Sequence, residues 1–354
     1  MIRAFTYTAL PSRVVFGSGT LHRIPDDVRA LGCKRALVLS TPEQQDVARA
    51  GAMLLGELCA GEFTQAAMHT PVEVTERAMQ MVASVKADCT VAIGGGSTTG
   101  LGKAIALRTD LPQIVVPTTY AGSEATPILG ETQDGRKTTQ RNMKVLPEVI
   151  IYDVELTLTL PPGLSATSGI NAIAHAVEAL YTQDSNPVIS MMAEEGIEAL
   201  ARALPLIVKT PYDKGARADA LYGAWLCGVC LGAVGMALHH KLCHTLGGSF
   251  NLPHAETHTV ILPHAVAYNA AAAPDAVARV ARALGSSKAA VGLFDLARSL
   301  GAPTSLKEIG MPESGIDRAA ELATASPYWN PRPIDRSGIH SLIEDAFYGR
   351  PPRS

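Results

Sequence analysis

At Leu160-Pro161-Pro162-Gly163 the sequence changes its grammar, and nothing else in the chain constrains the fold as strongly. Before this point, short β-branched runs alternate with helical patterns. Arg35–Leu39, Cys89–Ile93, Gln113–Val116 and Val149–Tyr152 read as strands, with Phe5–Thr8 and Arg13–Phe16 as two more near the start. Leu21–Leu31, a segment running to about Leu58, Pro71–Val85 and Leu101–Leu107 read as helices. Such alternation predicts a mainly parallel sheet. After Gly163 the apolar spacing is helical throughout: Ser165–Tyr181, Pro187–Leu204, Lys214–Gly247, His264–Asn269, Pro274–Leu284, Ala289–Leu300 and Ile339–Tyr348. The expected organisation is therefore an α/β domain over residues 1–160 and an all-α domain over residues 161–354.

Composition excludes several classes. The net charge is −3, with acids and bases interspersed, so neither nucleic acid nor an anionic membrane is an expected partner. No N-terminal segment has the apolar core of a signal peptide. Ala220–Leu238 carries no charge, but four glycines interrupt it and it runs into His239-His240-Lys241, so a buried central helix is expected. The six cysteines are scattered through apolar contexts, and Cys227 and Cys230 form an isolated CxxC. Reduced core thiols in a cytoplasmic protein are the natural reading.

Two loops carry a nucleotide signal. The strand ending at Ile93 opens into Gly94-Gly95-Gly96-Ser97-Thr98 and then a helix. Glycine lets a backbone approach a phosphate, and the N–H groups and dipole of the following helix favour its charge. The pattern is neither GxGxxG nor a P-loop. The next strand ends in Thr118-Thr119-Tyr120-Ala121-Gly122-Ser123, a loop at the C-terminal end of that strand, where open α/β sheets bind ligands. The hydroxyls of Thr118, Thr119 and Ser123 are suited to ribose or nicotinamide. Thr41, after the Arg35–Leu39 strand, stands where an acidic residue would reject a 2′-phosphate, so both NADH and NADPH are expected to bind.

The helical half concentrates its own chemistry. Six of the ten histidines fall between Ala237 and His264: His239, His240, His244, His254, His258 and His264. His240 and His244 share a helix face, and His254 follows a Gly-Gly turn and a Leu-Pro corner. Imidazoles hold metals or move protons near neutral pH. Clustering favours chemistry over a set of buried structural histidines.

In combination, VVFGSG (14–19), GGGS (94–97), PTTYAGSE (117–124), GINAIAHAVEA (169–179) and HHKLCHTLGGSFNLPH (239–254) resemble the iron-dependent (group III) alcohol dehydrogenase family over nearly the whole chain. The resemblance implies a nucleotide-binding domain, a helical domain and an active site in the cleft between them. It places the family's three histidine ligands on His175, His240 and His254, a histidine near the nicotinamide on His244, and a cofactor-side lysine on Lys137.

The family's aspartate ligand falls on Asn171. Asn171 and His175 keep the i, i+4 spacing of one helix face, but a neutral amide leaves a divalent cation uncompensated. The expectation is a vestigial metal site, with no metal required. The maleylacetate reductase branch of the family carries the same departure and resembles the 240–264 stretch closely. That resemblance implies NAD(P)H-dependent reduction of the C=C bond of 2-maleylacetate, a small dicarboxylate, to 3-oxoadipate in aromatic catabolism. Expected catalytic residues are His244 as proton donor, His254 and His240 as enolate or carboxylate donors, with His175 and Asn171. His239, His258 and His264 are expected to be structural, and Lys241 and Arg332 are weaker carboxylate partners. A homodimer follows by family analogy. The alternative is a metal-dependent alcohol or polyol dehydrogenase of the same family.

Overall fold

The structure, a computed structural model, describes residues 4–353, except for the side chains of Arg136 and Lys137. It divides into two compact units, one spanning Ala9–Leu160 and the other comprising the chain from Pro161 onward with the segment before Ala9.

The first unit is built on a six-stranded, all-parallel sheet. Its strands are β1 (Arg13–Gly17), β2 (Ala36–Leu39), β3 (Cys59–Phe63), β4 (Cys89–Gly94), β5 (Gln113–Pro117) and β8 (Val149–Asp153), in the order β1-β8-β5-β4-β2-β3. Crossovers run through α1 (Ile24–Ala30), α2 (Gln45–Leu55), α3 (Val72–Val85) and α4 (Gly96–Thr109). β2, β4, β5 and β8 are buried along their whole length, and apolar clusters cover both faces of the sheet. This is the signature of a parallel sheet sandwiched by helices. From β2 the chain goes outward to β3, then returns to the other side as β4, so strand order reverses between β2 and β4. Ligands of open α/β sheets bind at such a switch point.

Three features of residues 4–160 differ from the sequence expectation. Residues 5–8 form no strand, because no neighbouring strand offers them a ladder. The edge strand β3 was not expected, since its CAGEF sequence lacks β-branched residues. An antiparallel hairpin, β6 (Ile128–Gln133) and β7 (Arg136–Arg141), also went unread. Its turn is Asp134-Gly135, both at positive φ, a standard hairpin signal.

Among the described residues the second unit contains no strand. It comprises α5 (Pro162–Tyr181), α6 (Pro187–Lys209), α7 (Lys214–Ala233), α8 (Leu238–Phe250), α9 (His254–Asn269), α10 (Pro274–Ala283), α11 (Ala289–Ser299), α12 (Ile316–Thr324) and α13 (Arg336–Phe347). α5 is buried along nearly its whole length, with α6, α7 and α9 packed around it. The helix expected over Lys214–Gly247 is in fact two, α7 and α8, bent by 95°. No single helix is long and apolar enough to cross a membrane. The expected Gly-Gly turn is also absent: Gly247 and Gly248 lie inside α8, and the corner is made by Asn251 in the left-handed region. All six cysteines are free, Cys227 and Cys230 included.

Candidate active site

The nucleotide signals converge at the switch point. Gly94 ends β4 and Gly95 caps α4, with no side chain occupying the cap. Gly94 admits no side chain: an added Cβ would lie 2.3 Å from Thr98 Oγ1 and 2.9 Å from Gln44 Oε1. At Gly95 a Cβ would lie 3.0 Å from Thr119 Cγ2. Gly96 is open, with Ser123 Oγ 3.9 Å away as the nearest atom. The two loops are tied by Thr118 N–H donating to Gly94 C=O at 3.1 Å. Thr98 Oγ1 and Ser123 Oγ are buried hydroxyl oxygens without a partner among the described residues, and Ser97 follows Gly96 in the first turn. Unused donors and acceptors beside an uncapped helix N-terminus suit a phosphorylated ligand. Thr41 is half-buried just beyond β2. Lys137 lies on β7, and its side chain is outside the described residues.

Two supporting residues escaped the sequence reading. Gln44 donates from Nε2 to Thr118 Oγ1 at 2.8 Å. Lys103 is fully buried under the second loop, where Nζ donates to Ser123 C=O (2.6 Å), Thr126 C=O (2.6 Å), Thr126 Oγ1 (3.0 Å) and Ile128 C=O (2.9 Å). Burial pushes its ammonium down to about 7, and Glu124 opposes that shift. Four oxygens around one buried nitrogen are a strong brace.

In the helical unit six imidazoles form one continuous cluster. His175 stacks on His240 with centroids 5.0 Å apart, and His240 meets His258 at 5.0 Å and His244 at 6.2 Å. His258 in turn meets His239 at 4.8 Å and His254 at 4.3 Å. His244 and His254 are exposed, and the other four are buried. His239 and His258, expected to be structural, therefore stand at the centre of the candidate site. Burial and the neighbouring imidazoles push both well below the usual histidine range, so they stay neutral at pH 7. His264 lies apart, lining a separate pocket with Arg332 and Asp345.

Glu178 organises the cluster and was not singled out from the sequence. It is fully buried on α5, and Oε2 lies 2.7 Å from His240 Nδ1. Oε2 also accepts the Ala237 N–H at 2.9 Å, and Oε1 accepts the His239 N–H at 2.8 Å. The carboxylate thus caps the start of α8, where the free N–H groups and helix dipole attract negative charge. With Asp184 accepting the Gly235 N–H at 3.3 Å, this contact holds the break between α7 and α8. The signal was present in the spacing: Asn171, His175 and Glu178 recur at i, i+4 and i+7 on one face.

His240 Nε2 meets His175 Nδ1 at 2.9 Å. With Glu178 accepting from Nδ1–H, Nε2 of a neutral His240 is an acceptor and His175 the donor. Asn171 is buried, and its Oδ1 has no partner among the described residues. Lys241 is half-buried, 5.7 Å from the Tyr328 ring centroid. Arg332 is already engaged: it stacks on Tyr268 and donates to Tyr268 C=O at 3.1 Å.

Comparison with known proteins covers both units. The family profile "Iron-containing alcohol dehydrogenase" matches residues 11–154, and "Fe-containing alcohol dehydrogenase family, C-terminal" matches residues 165–347. Maleylacetate reductase of Rhizobium sp. is 59% identical over 99% of this chain and 100% of its own. Maleylacetate reductase of Sphingobium indicum is 57% identical over 98% and 99%. Among solved structures, maleylacetate reductase from Agrobacterium tumefaciens superposes with a TM-score of 0.96 at 59% identity, covering 99% of this chain and 100% of that one. An iron-containing alcohol dehydrogenase from Corynebacterium glutamicum gives 0.93 at 42% identity, covering 98% and 97%.

Proposed function

Because the chain belongs to the iron-containing alcohol dehydrogenase family, we propose that it reduces the C=C bond of 2-maleylacetate to give 3-oxoadipate, using NADH or NADPH. Relatives named for that reaction match over essentially the full length. The observation that carries the reading within the structure is Asn171. The face where the family places a carboxylate presents a neutral amide beside imidazoles.

The family name implies iron, and the residues at the family's ligand positions do not fit it. Asn171, His175, His240 and His254 supply no anion. The carboxylate touching the cluster, Glu178, is committed to His240 Nδ1 and two backbone N–H groups. Non-haem divalent iron is typically held by histidines together with a carboxylate, whose charge offsets the cation. The reading therefore does without a metal at these four positions.

Bound reduced nicotinamide supplies a hydride. The double bond of maleylacetate is conjugated to a ketone, so hydride addition at the carbon β to the ketone moves charge onto the ketone oxygen. The resulting enolate needs hydrogen-bond donors and a proton at its α-carbon. His244 and His254, the two exposed imidazoles of the cluster, are open to proton exchange with water, which supports a proton-transfer role. In this reading His244 delivers the proton and His254 receives the enolate or a substrate carboxylate, while His240, expected as a second donor, has both ring nitrogens engaged by Glu178 and His175 and acts by positioning its neighbours. The substrate is a dianion, and an aspartate at 171 would repel it. Gly94, Gly95, Gly96, Ser97, Thr98, Thr118, Thr119 and Ser123 are the proposed dinucleotide contacts, with Thr41 permitting either NADH or NADPH. The same family reading extends to a cytoplasmic homodimer, testable by light scattering and fractionation, and includes no nucleic-acid or membrane partner.

The test is NADH and NADPH oxidation with maleylacetate, beside simple aldehydes and ketones, with and without chelator. Turnover of maleylacetate that survives chelation supports the proposal. Turnover confined to aldehydes and lost on chelation establishes the metal-dependent alternative.

A further inference from the structure

His239, Cys243 and His258 form a second donor set, separate from the four family positions. His239 and Cys243 sit at i, i+4 on α8, and His258 reaches them from α9. One ligand atom from each lies within 4.8 Å of the other two, and all three residues are buried. His239 Nε2 is 2.9 Å from His258 Nδ1 and 3.7 Å from Cys243 Sγ. Zinc–nitrogen bonds of about 2.0–2.1 Å and a zinc–sulfur bond of about 2.3 Å would subtend roughly 90° and 115° across these two separations. The outward nitrogens, His239 Nδ1 and His258 Nε2, are buried without partners among the described residues, so no other bond fixes either tautomer.

We propose that His239, Cys243 and His258 bind a thiophilic divalent ion of the zinc class, clamping α8 to α9 beneath the exposed histidines. Neutral imidazole nitrogens and a deprotonated thiol are the forms that ligate zinc. The Cys243 S–H bond breaks as the metal–sulfur bond forms, and its proton leaves to solvent. The thiolate supplies the anion that the Asn171 set lacks. The exposed His254 ring packs on His258 with centroids 4.3 Å apart.

The test is cobalt(II) added to purified full-length protein, read by absorption. The expected result is one equivalent bound, with tetrahedral d–d bands and a sulfur-to-cobalt charge-transfer band. The charge-transfer band persists in His175→Ala and disappears in Cys243→Ser, and His258→Gln weakens binding at least tenfold. Circular dichroism establishes that each variant is folded. Absence of bound cobalt, or cobalt spectra without a sulfur band in the wild type, overturns the proposal. So does a sulfur band that survives Cys243→Ser. Because the readout is ligand spectroscopy rather than turnover, its outcome is independent of the reductase reading.

Discussion

Glu178 Oε2 lies 2.7 Å from His240 Nδ1, and the same carboxylate accepts the N–H groups of Ala237 and His239. One buried anion therefore starts a helix and sets the tautomer of a site histidine. Glutamine cannot replace it, because its NH₂ group must face at least one backbone N–H in either orientation. Each unsatisfied buried donor costs about 1–3 kcal/mol. Glu178→Gln should lower Tm and reduce kcat about tenfold or more, the scale seen when carboxylates that orient metal-bound histidines are lost. KM for NADH should hardly change, since the nucleotide loops belong to the other unit. Steady-state kinetics beside thermal denaturation separates these effects. An unchanged kcat removes Glu178 from the positioning role.

Asn171→Asp restores the family's carboxylate on a helix face that already holds His175. It should raise Zn²⁺ or Fe²⁺ affinity at that face and depress maleylacetate reduction by repelling the dianion. Metal content after dialysis and NADH oxidation provide the two readings. Unchanged reductase activity together with unchanged metal binding defeats the electrostatic account of Asn171.

Gly94→Ala drives a methyl group into buried Thr98, with the nearest approach 2.3 Å. Overpacking of this kind costs about 1–3 kcal/mol. The helix start must shift, so KM for NADH should rise by an order of magnitude or more, with a smaller change in KM for maleylacetate. Equal effects on both constants contradict a nucleotide role for this turn.

His264 predicts acid lability. Burial pushes it down to about 4, while Asp345 from α13 opposes the shift and is itself paired with Arg350 and Arg353. Arg332 lines the same pocket. The unfolded histidine titrates near 6.5. Between those values the unfolded chain binds the extra proton, so stability is full above about 6.5 and falls as pH drops toward 4. The total is on the order of 3 kcal/mol. His264→Gln should flatten that slope in urea melts taken from pH 7 to pH 4.5. His239 and His258 contribute to both proteins alike, so an identical slope in the variant rules His264 out as the source.

The hairpin β6–β7 is signalled by Asp134-Gly135, but Ile128–Gln133 holds a single apolar pair and Arg136–Arg141 none, so hydrophobic patterning does not reveal it. The division between α7 and α8 is only partly written locally: Gly232 and Gly235 interrupt the uncharged run, but where it breaks is fixed by distant carboxylates, Glu178 at the Ala237 and His239 N–H groups and Asp184 at the Gly235 N–H.

The sequence by itself determined the alternating α/β half, the helical half after Pro161, the glycine turn at Gly94 and the i, i+4 pairing of Asn171 with His175. Each is a local periodicity or a local backbone requirement, readable without knowing what packs against it. Only the tertiary structure decided that His239 and His258 stand inside the histidine cluster, that Glu178 holds His240, and that Lys103 braces the second loop. Those relationships join residues 19 to 65 positions apart or depend on what surrounds a buried charge. No spacing rule along one chain encodes distances across a packed core.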